Sequence, residues 1–73
     1  MSRDETTLKK HSIVIAGHQT SITLEGIFWQ QLKILARQQD ISLSTIVAEI
    51  DAERQVNLSS AIRVYILKNA LKD

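Results

Sequence analysis

The sequence predicts an α+β fold dominated by helix. The expected form is an intertwined homodimer, with an antiparallel β-ribbon formed between chains and an extra helix at the C-terminal end. Three observations lead there. Residues 18–24 alternate polar and apolar and run straight into an amphipathic helical pattern. Every periodic segment after them is helical, so a strand at 18–24 has unpaired N–H and C=O groups that its copy in a second chain would satisfy. The last helical segment is apolar almost all round, and a chain of 73 residues holds too little else to cover it.

Composition narrows the class further. With no cysteine there is no disulfide framework and no thiolate metal site, so oligomerisation is the staple left to a chain this small. No apolar run approaches the roughly 20 residues of a membrane span, and the first residues lack the apolar stretch of a signal peptide, so no membrane partner and a cytoplasmic location are expected. Nine Lys and Arg against eight Asp and Glu give a net charge of +1. A nucleic-acid binder with that balance would have to gather its cations on one face.

In chain order, residues 1–11 are polar and mixed in charge and read as a flexible tail, with Lys9, Lys10 and His11 beside the strand region. Residues 12–73 form one domain. Residues 12–16 are rich in β-branched side chains and favour a strand. Gly17-His18 suits a type II′ hairpin turn, which would set Ala16 opposite Gln19, Ile15 opposite Thr20 and Ile13 opposite Ile22. A single long extended segment is the alternative. In the strand at 18–24, Thr20, Ile22 and Leu24 face inward, while Gln19, Ser21 and Thr23 face outward.

A first helix spans about residues 25–39, with Phe28, Leu32, Leu35 and Ala36 on its apolar stripe. Trp29 lies off the stripe and reads as a surface buried against the partner chain. Ser42 is a good N-cap for a second helix over 43–53, buried through Leu43, Ile46, Val47 and Ile50. Its acidic second half, Glu49, Asp51 and Glu53, opposes the helix dipole and calls for a basic neighbour such as Arg54, Arg63 or Lys33. Asn57 caps a third helix over 58–71, separated from the second by a break or a kink. The expected dimer core is Ile22, Leu24, Phe28, Trp29, Ile62, Tyr65 and Ile66.

Catalytic patterns are missing from the sequence. It has no glycine-rich phosphate loop, and His11 and His18 have no carboxylates at a spacing that builds a triad or a metal site. Both histidines read as exposed or turn residues. No enzyme activity, metal or cofactor is expected. Two features suit nucleic acid instead. The outward residues Gln19, Ser21 and Thr23 can pair with base edges when a two-stranded ribbon enters the major groove. The Ser42-Leu43-Ser44-Thr45 helix start offers free N–H groups and hydroxyls to a phosphate.

Thr20-Ser21-Ile22-Thr23-Leu24, then Phe28-Trp29 with Leu32, Leu35 and Ala36, then Ile41-Ser42-Leu43-Ser44-Thr45-Ile46, together resemble the ribbon-helix-helix family. That family of dimeric DNA-binding proteins includes the Arc and methionine repressors and many antitoxins. The likeness covers residues 19–54. Ala16-Gly17-His18-Gln19-Thr20-Ser21 and Asn57-Leu58-Ser59-Ser60-Ala61 extend it to residues 12–71, in the manner of a subfamily of small bacterial proteins. The resemblance implies a cytoplasmic transcriptional regulator, a repressor for instance. Its homodimer would lay an antiparallel ribbon in the major groove of double-stranded DNA, alone or in higher assemblies. Gln19, Ser21 and Thr23 would read bases. Ser42, Leu43 and Ser44 would hold phosphate, with added attraction from Lys9, Lys10, Lys33 and Arg37. A protein-interaction or antitoxin-like module on the same scaffold, with a protein partner, is the alternative. The chain departs from the family pattern in lacking Arg or Lys on the outward face of its strand, and in placing Glu25 where proline often opens the first helix.

Overall fold

Two residues with left-handed backbone shape the first half of the protein. Ala16 (φ 51°) and Gly17 (φ 83°) form a two-residue hairpin loop, and positive φ at both central positions defines a type I′ turn, whose twist matches that of the flanking strands. In the computed structural model, which describes residues 6–72, this turn joins β1 (Leu8–Ile15) to β2 (His18–Glu25) as an antiparallel pair. Ile15 lies opposite His18 and Leu8 opposite Glu25.

This corrects the expected turn. The loop is Ala16-Gly17 and not Gly17-His18, and Ile13 faces Thr20 where the II′ geometry would have given it Ile22. The slip is two residues, so every side chain keeps its expected face. Strand β1 also begins earlier than the sequence indicates. Residues 8–11, assigned to the tail, pair along the second half of β2. The Gly26 N–H then extends the ladder by donating to the Thr7 carbonyl at 3.3 Å. Their polar composition hid a strand that cross-strand pairing specifies. The first five residues of the expected tail lie outside the described residues. Closing the hairpin within one chain satisfies one edge of β2, as the expected arm at 12–16 would have done.

Three helices follow: α1 (Gly26–Gln38), α2 (Leu43–Glu53) and α3 (Leu58–Ala70). A left-handed Asp40 (φ 57°) ends α1. The Ile41 N–H reaches back to Ala36 O at 3.0 Å and the Asp40 N–H to Arg37 O at 3.1 Å, the bond pair of a Schellman motif. Ser42 caps α2 by accepting from the Thr45 N–H at 3.0 Å. Asn57 caps α3 by accepting from the Ser60 N–H at 2.9 Å. Two side-chain caps so close together, with extended backbone at Arg54 and Asn57, show that α2 and α3 are separate helices. The acidic end of α2 finds the basic neighbour it requires in Arg54, whose Nε lies 2.6 Å from Asp51 Oδ1.

The inner face of the hairpin supplies Ile13, Ile22 and Leu24 to one core, completed by Leu32, Ala36, Ile46, Val47, Ile50, Ile62 and Ile66. Truncating any of the larger of these to alanine costs about 2–5 kcal/mol. Ile22, Leu24, Ile62 and Ile66 were expected to meet a second chain. In the single chain they are already buried. Phe28, Trp29 and Tyr65 are half-buried against the same core. The apolar surplus of α3 lies elsewhere, on Val64, Leu67 and Leu71, which are 49%, 57% and 74% exposed.

Candidate nucleic-acid interface

The hairpin ladder fixes what its outer face presents. A two-residue turn closes on a hydrogen-bonded pair, Ile15 with His18, and such pairs alternate along an antiparallel ladder. The pairs between them are Val14 with Gln19, Ser12 with Ser21 and Lys10 with Thr23. These are the closely spaced pairs, with about 4.5 Å between Cα atoms. All six side chains are exposed and share the face opposite the core. Gln19, Ser21 and Thr23 therefore stand together in the open, as expected. Their backbone N–H and C=O groups point to the outer edge of β2. There the Ser59 hydroxyl, at the start of α3, donates to the Thr23 carbonyl at 2.9 Å.

The sequence reading missed a cation on this face. Lys10 stands directly across from Thr23 and makes no ion pair with any described residue. The outward face of β2 carries no Arg or Lys, but the surface it belongs to does. The signal was hidden because residues 8–11 read as tail, and parity has meaning only once a strand and its register are known. Lys9, one residue earlier, points to the opposite face, so the two lysines do not act as one patch.

The acid at the start of α1 is neutralised. Arg63 Nε donates to Glu25 Oε1 at 3.0 Å, with its guanidinium 5.9 Å from the centre of the Phe28 ring. The hydrogen bond from Arg63, helped by a backbone hydrogen bond, holds the Glu25 carboxyl below its usual range. An unpaired carboxylate at the end of β2 would repel any phosphate brought to this face, and this pairing reduces that repulsion.

The expected phosphate residues fall in two groups. Lys33, Arg37 and Leu43 meet around a shallow hollow of about 390 Å³ where α1 hands over to α2, with Asp40 on its rim. Ser42 and Ser44 lie at the same helix start. The Thr45 N–H is taken by Ser42 Oγ and the Ile46 N–H by the Ser42 carbonyl, whereas the Leu43 and Ser44 N–H groups have no carbonyl to meet within the helix. Lys10 belongs to the hairpin face.

His11 is neither exposed nor in a turn. Its ring stacks on Trp29 with centroids 3.9 Å apart and planes at 8°. Trp29 is half-buried in the single chain. His11 Nε2 is buried without a hydrogen-bond partner. Burial first, then Lys9 and Lys33, push its pKa below the ordinary histidine value. A second groove, about 660 Å³, runs between the end of α2 and α3 and is lined by Glu49, Glu53, Arg54, Val64, Tyr65 and Lys68 among others. No helix among the described residues is long and apolar enough to cross a membrane.

Comparison with known proteins bears on the scaffold. No curated protein matches the chain. Among solved structures it is similar to an uncharacterized protein from Bordetella pertussis Tohama I, with a TM-score of 0.80 and 19% identity, over 97% of this chain and 62% of that one. At that identity the likeness establishes the fold alone, and the chain spans less than two-thirds of that protein's length. The model of the ribbon-helix-helix domain matches residues 8–70, a span that takes in both strands and all three helices, and the chain belongs to the ribbon-helix-helix domain family.

Proposed function

We propose that the protein is a sequence-specific, DNA-binding transcriptional regulator that works as a homodimer in the bacterial cytoplasm. The outer face of its ribbon lies in the major groove, with the start of α2 on phosphate. One observation carries the reading. Gln19, Ser21 and Thr23 are exposed in a row beside Lys10, giving an amide, hydroxyls and a cation on a ribbon of groove width. The family is one in which dimeric DNA-binding regulators are common. The role is binding, without catalysis and without a cofactor. The exposed apolar stripe on α3 supports association with a second copy.

Fluorescence anisotropy tests this, with random-sequence and promoter-region duplexes titrated at about 50 mM and about 200 mM salt. Each phosphate contact releases counterions, so affinity should fall steeply with salt, and some duplexes should be preferred. Ser44→Pro removes one N–H in the first helical turn, where proline is tolerated, and should weaken all sequences alike. Absence of binding at low salt by a folded sample would sink the proposal.

A protein-interaction or antitoxin-like role is the second reading. It is favoured by the apolar stripe of α3 lying beside the groove at the end of α2. Under it, the protein would co-purify with a protein partner and be indifferent to Thr23→Ala and Ser44→Pro.

A further inference from the structure

Val64 belongs to two surfaces at once. It opens the exposed stripe that α3 continues through Leu67 and Leu71, and it lines the groove of about 660 Å³ between the end of α2 and α3. The apolar lining runs on through Ile50, Ala61 and Tyr65 to Val56, which is itself 53% exposed. We infer that this groove receives the α3 stripe of a second copy, with Lys68 and Lys72 of that copy meeting Glu49 and Glu53. The inference rests on the homodimer of the proposed function and names a surface on which its copies meet. None of the lining residues belongs to the hairpin, so this surface is separate from the strand edge and adds to any pairing of strands between copies.

Charge is the first argument. Glu49 and Glu53 are four residues apart near the C-terminal end of α2, so they stand on one side of it, about 6 Å apart along its axis. Both line the groove and both are exposed. Neither has an ion pair among the described residues. Asp51, the other acid of that helix end, is paired with Arg54, and Arg54 is further held by the Val56 carbonyl at 2.9 Å. Carboxylates at a helix C-terminus face the negative end of its dipole, so Glu49 and Glu53 gain from an outside cation. Lys68 and Lys72 repeat the same spacing beside the apolar stripe of α3, are exposed, and have no ion pair among the described residues.

Symmetry is the second argument. Groove and stripe lie on one chain and share Val64, so a two-fold axis can lay the stripe of each copy in the groove of the other. Every contact is then made twice. A foreign helix seated in the groove would account for less, because Leu67 and Leu71 lie outside its lining and would stay bare. A second copy covers both surfaces.

The test exchanges the charges. One variant carries Glu49→Lys with Glu53→Lys, the other Lys68→Glu with Lys72→Glu, and each is followed by sedimentation alone and in an equimolar mixture at about 50 mM salt. Alone, each variant sets like charges across the interface, so its dissociation constant should rise at least about tenfold and its mass should fall below that of the wild type. In the mixture both sets of contacts pair opposite charges again, and the wild-type mass should return. All four positions are exposed, and matching thermal midpoints at high dilution verify that the variants fold. If the wild type associates and either variant alone does the same, or the mixture fails to recover, the copies meet elsewhere and the inference falls while the homodimer stands. If the wild type is a monomer at every concentration, the homodimer falls with it.

Discussion

Arg63 Nε donates to Glu25 Oε1 at 3.0 Å and ties α3 to the end of β2. Both side chains are about one-third exposed or less. The pair joins residues 38 positions apart and places a guanidinium beside an acid at the end of β2. The third helix thereby adjusts the charge of the candidate DNA face as well as covering the core.

Breaking that pair should act on titration and on binding in opposite ways. Glu25 titrates below its usual range because Arg63 bonds the charged form. The unfolded chain therefore takes up the proton first on acidification. The pair's contribution to stability is complete above the ordinary carboxylate range and is lost as pH falls through the depressed value. In Arg63→Ala, an NMR titration should find the Glu25 carboxyl back near its ordinary value. Glu25→Gln removes a negative charge and frees a cation, so it should strengthen DNA binding several-fold at about 50 mM salt and less at about 200 mM.

The His11–Trp29 stack predicts a second acid-sensitive window, at higher pH. Burial and two lysines disfavour the charged imidazole in the folded chain, so the unfolded state again binds the proton more readily. Stability should be full above the ordinary histidine range and fall as pH drops through it. Urea midpoints from about pH 8 to about pH 5, read by Trp29 fluorescence, should show this in the wild type. His11→Phe keeps a stacked ring without a titrating group and should flatten that part of the profile.

Much of this architecture is legible in the sequence because it rests on local chemistry. Ser42 and Asn57 announce helix starts through a short side chain that accepts from an N–H three residues on, and both bonds form. The outward parity of Gln19, Ser21 and Thr23 follows from alternation alone. Non-local features were hidden. Residues 8–11 have no strand propensity and become a strand only through a partner 11 to 17 residues away. Lys10 could not be placed on the outer face of the hairpin without that register. The apolar excess of α3 was legible, but its division into a buried side at Ile62 and Ile66 and an exposed side at Val64 and Leu67 depends on where the hairpin lies.

The hairpin turn is stabilisable at one position and fragile at the next. Ala16 adopts a left-handed conformation that costs an L-residue with a Cβ about 1–2 kcal/mol, and asparagine tolerates it better. Ala16→Asn should raise stability by about 1 kcal/mol, or about 5 °C in Tm for a domain of this size. A Cβ at Gly17 would meet nothing within 4 Å, so the cost of Gly17→Ala is purely that of the backbone. A loss of about 1 kcal/mol is expected, and thermal unfolding by circular dichroism measures both.

The proposed homodimer makes its own prediction through α3. Val64, Leu67 and Leu71 recur at helical spacing, so they form one stripe, and each is about half exposed or more in the single chain. A stripe so placed contributes little to the fold of one chain and much to association. Tm should therefore rise with protein concentration, because association stabilises only the folded state. Leu67→Lys replaces a side chain that is 57% exposed, so it should leave the dilute-limit stability within about 1 kcal/mol of wild type while abolishing the concentration dependence of Tm. Sedimentation should then show the wild type as a dimer and Leu67→Lys as a monomer at the same concentration. A wild type that sediments as a monomer at high concentration would remove the homodimer and leave a single hairpin to act alone on DNA.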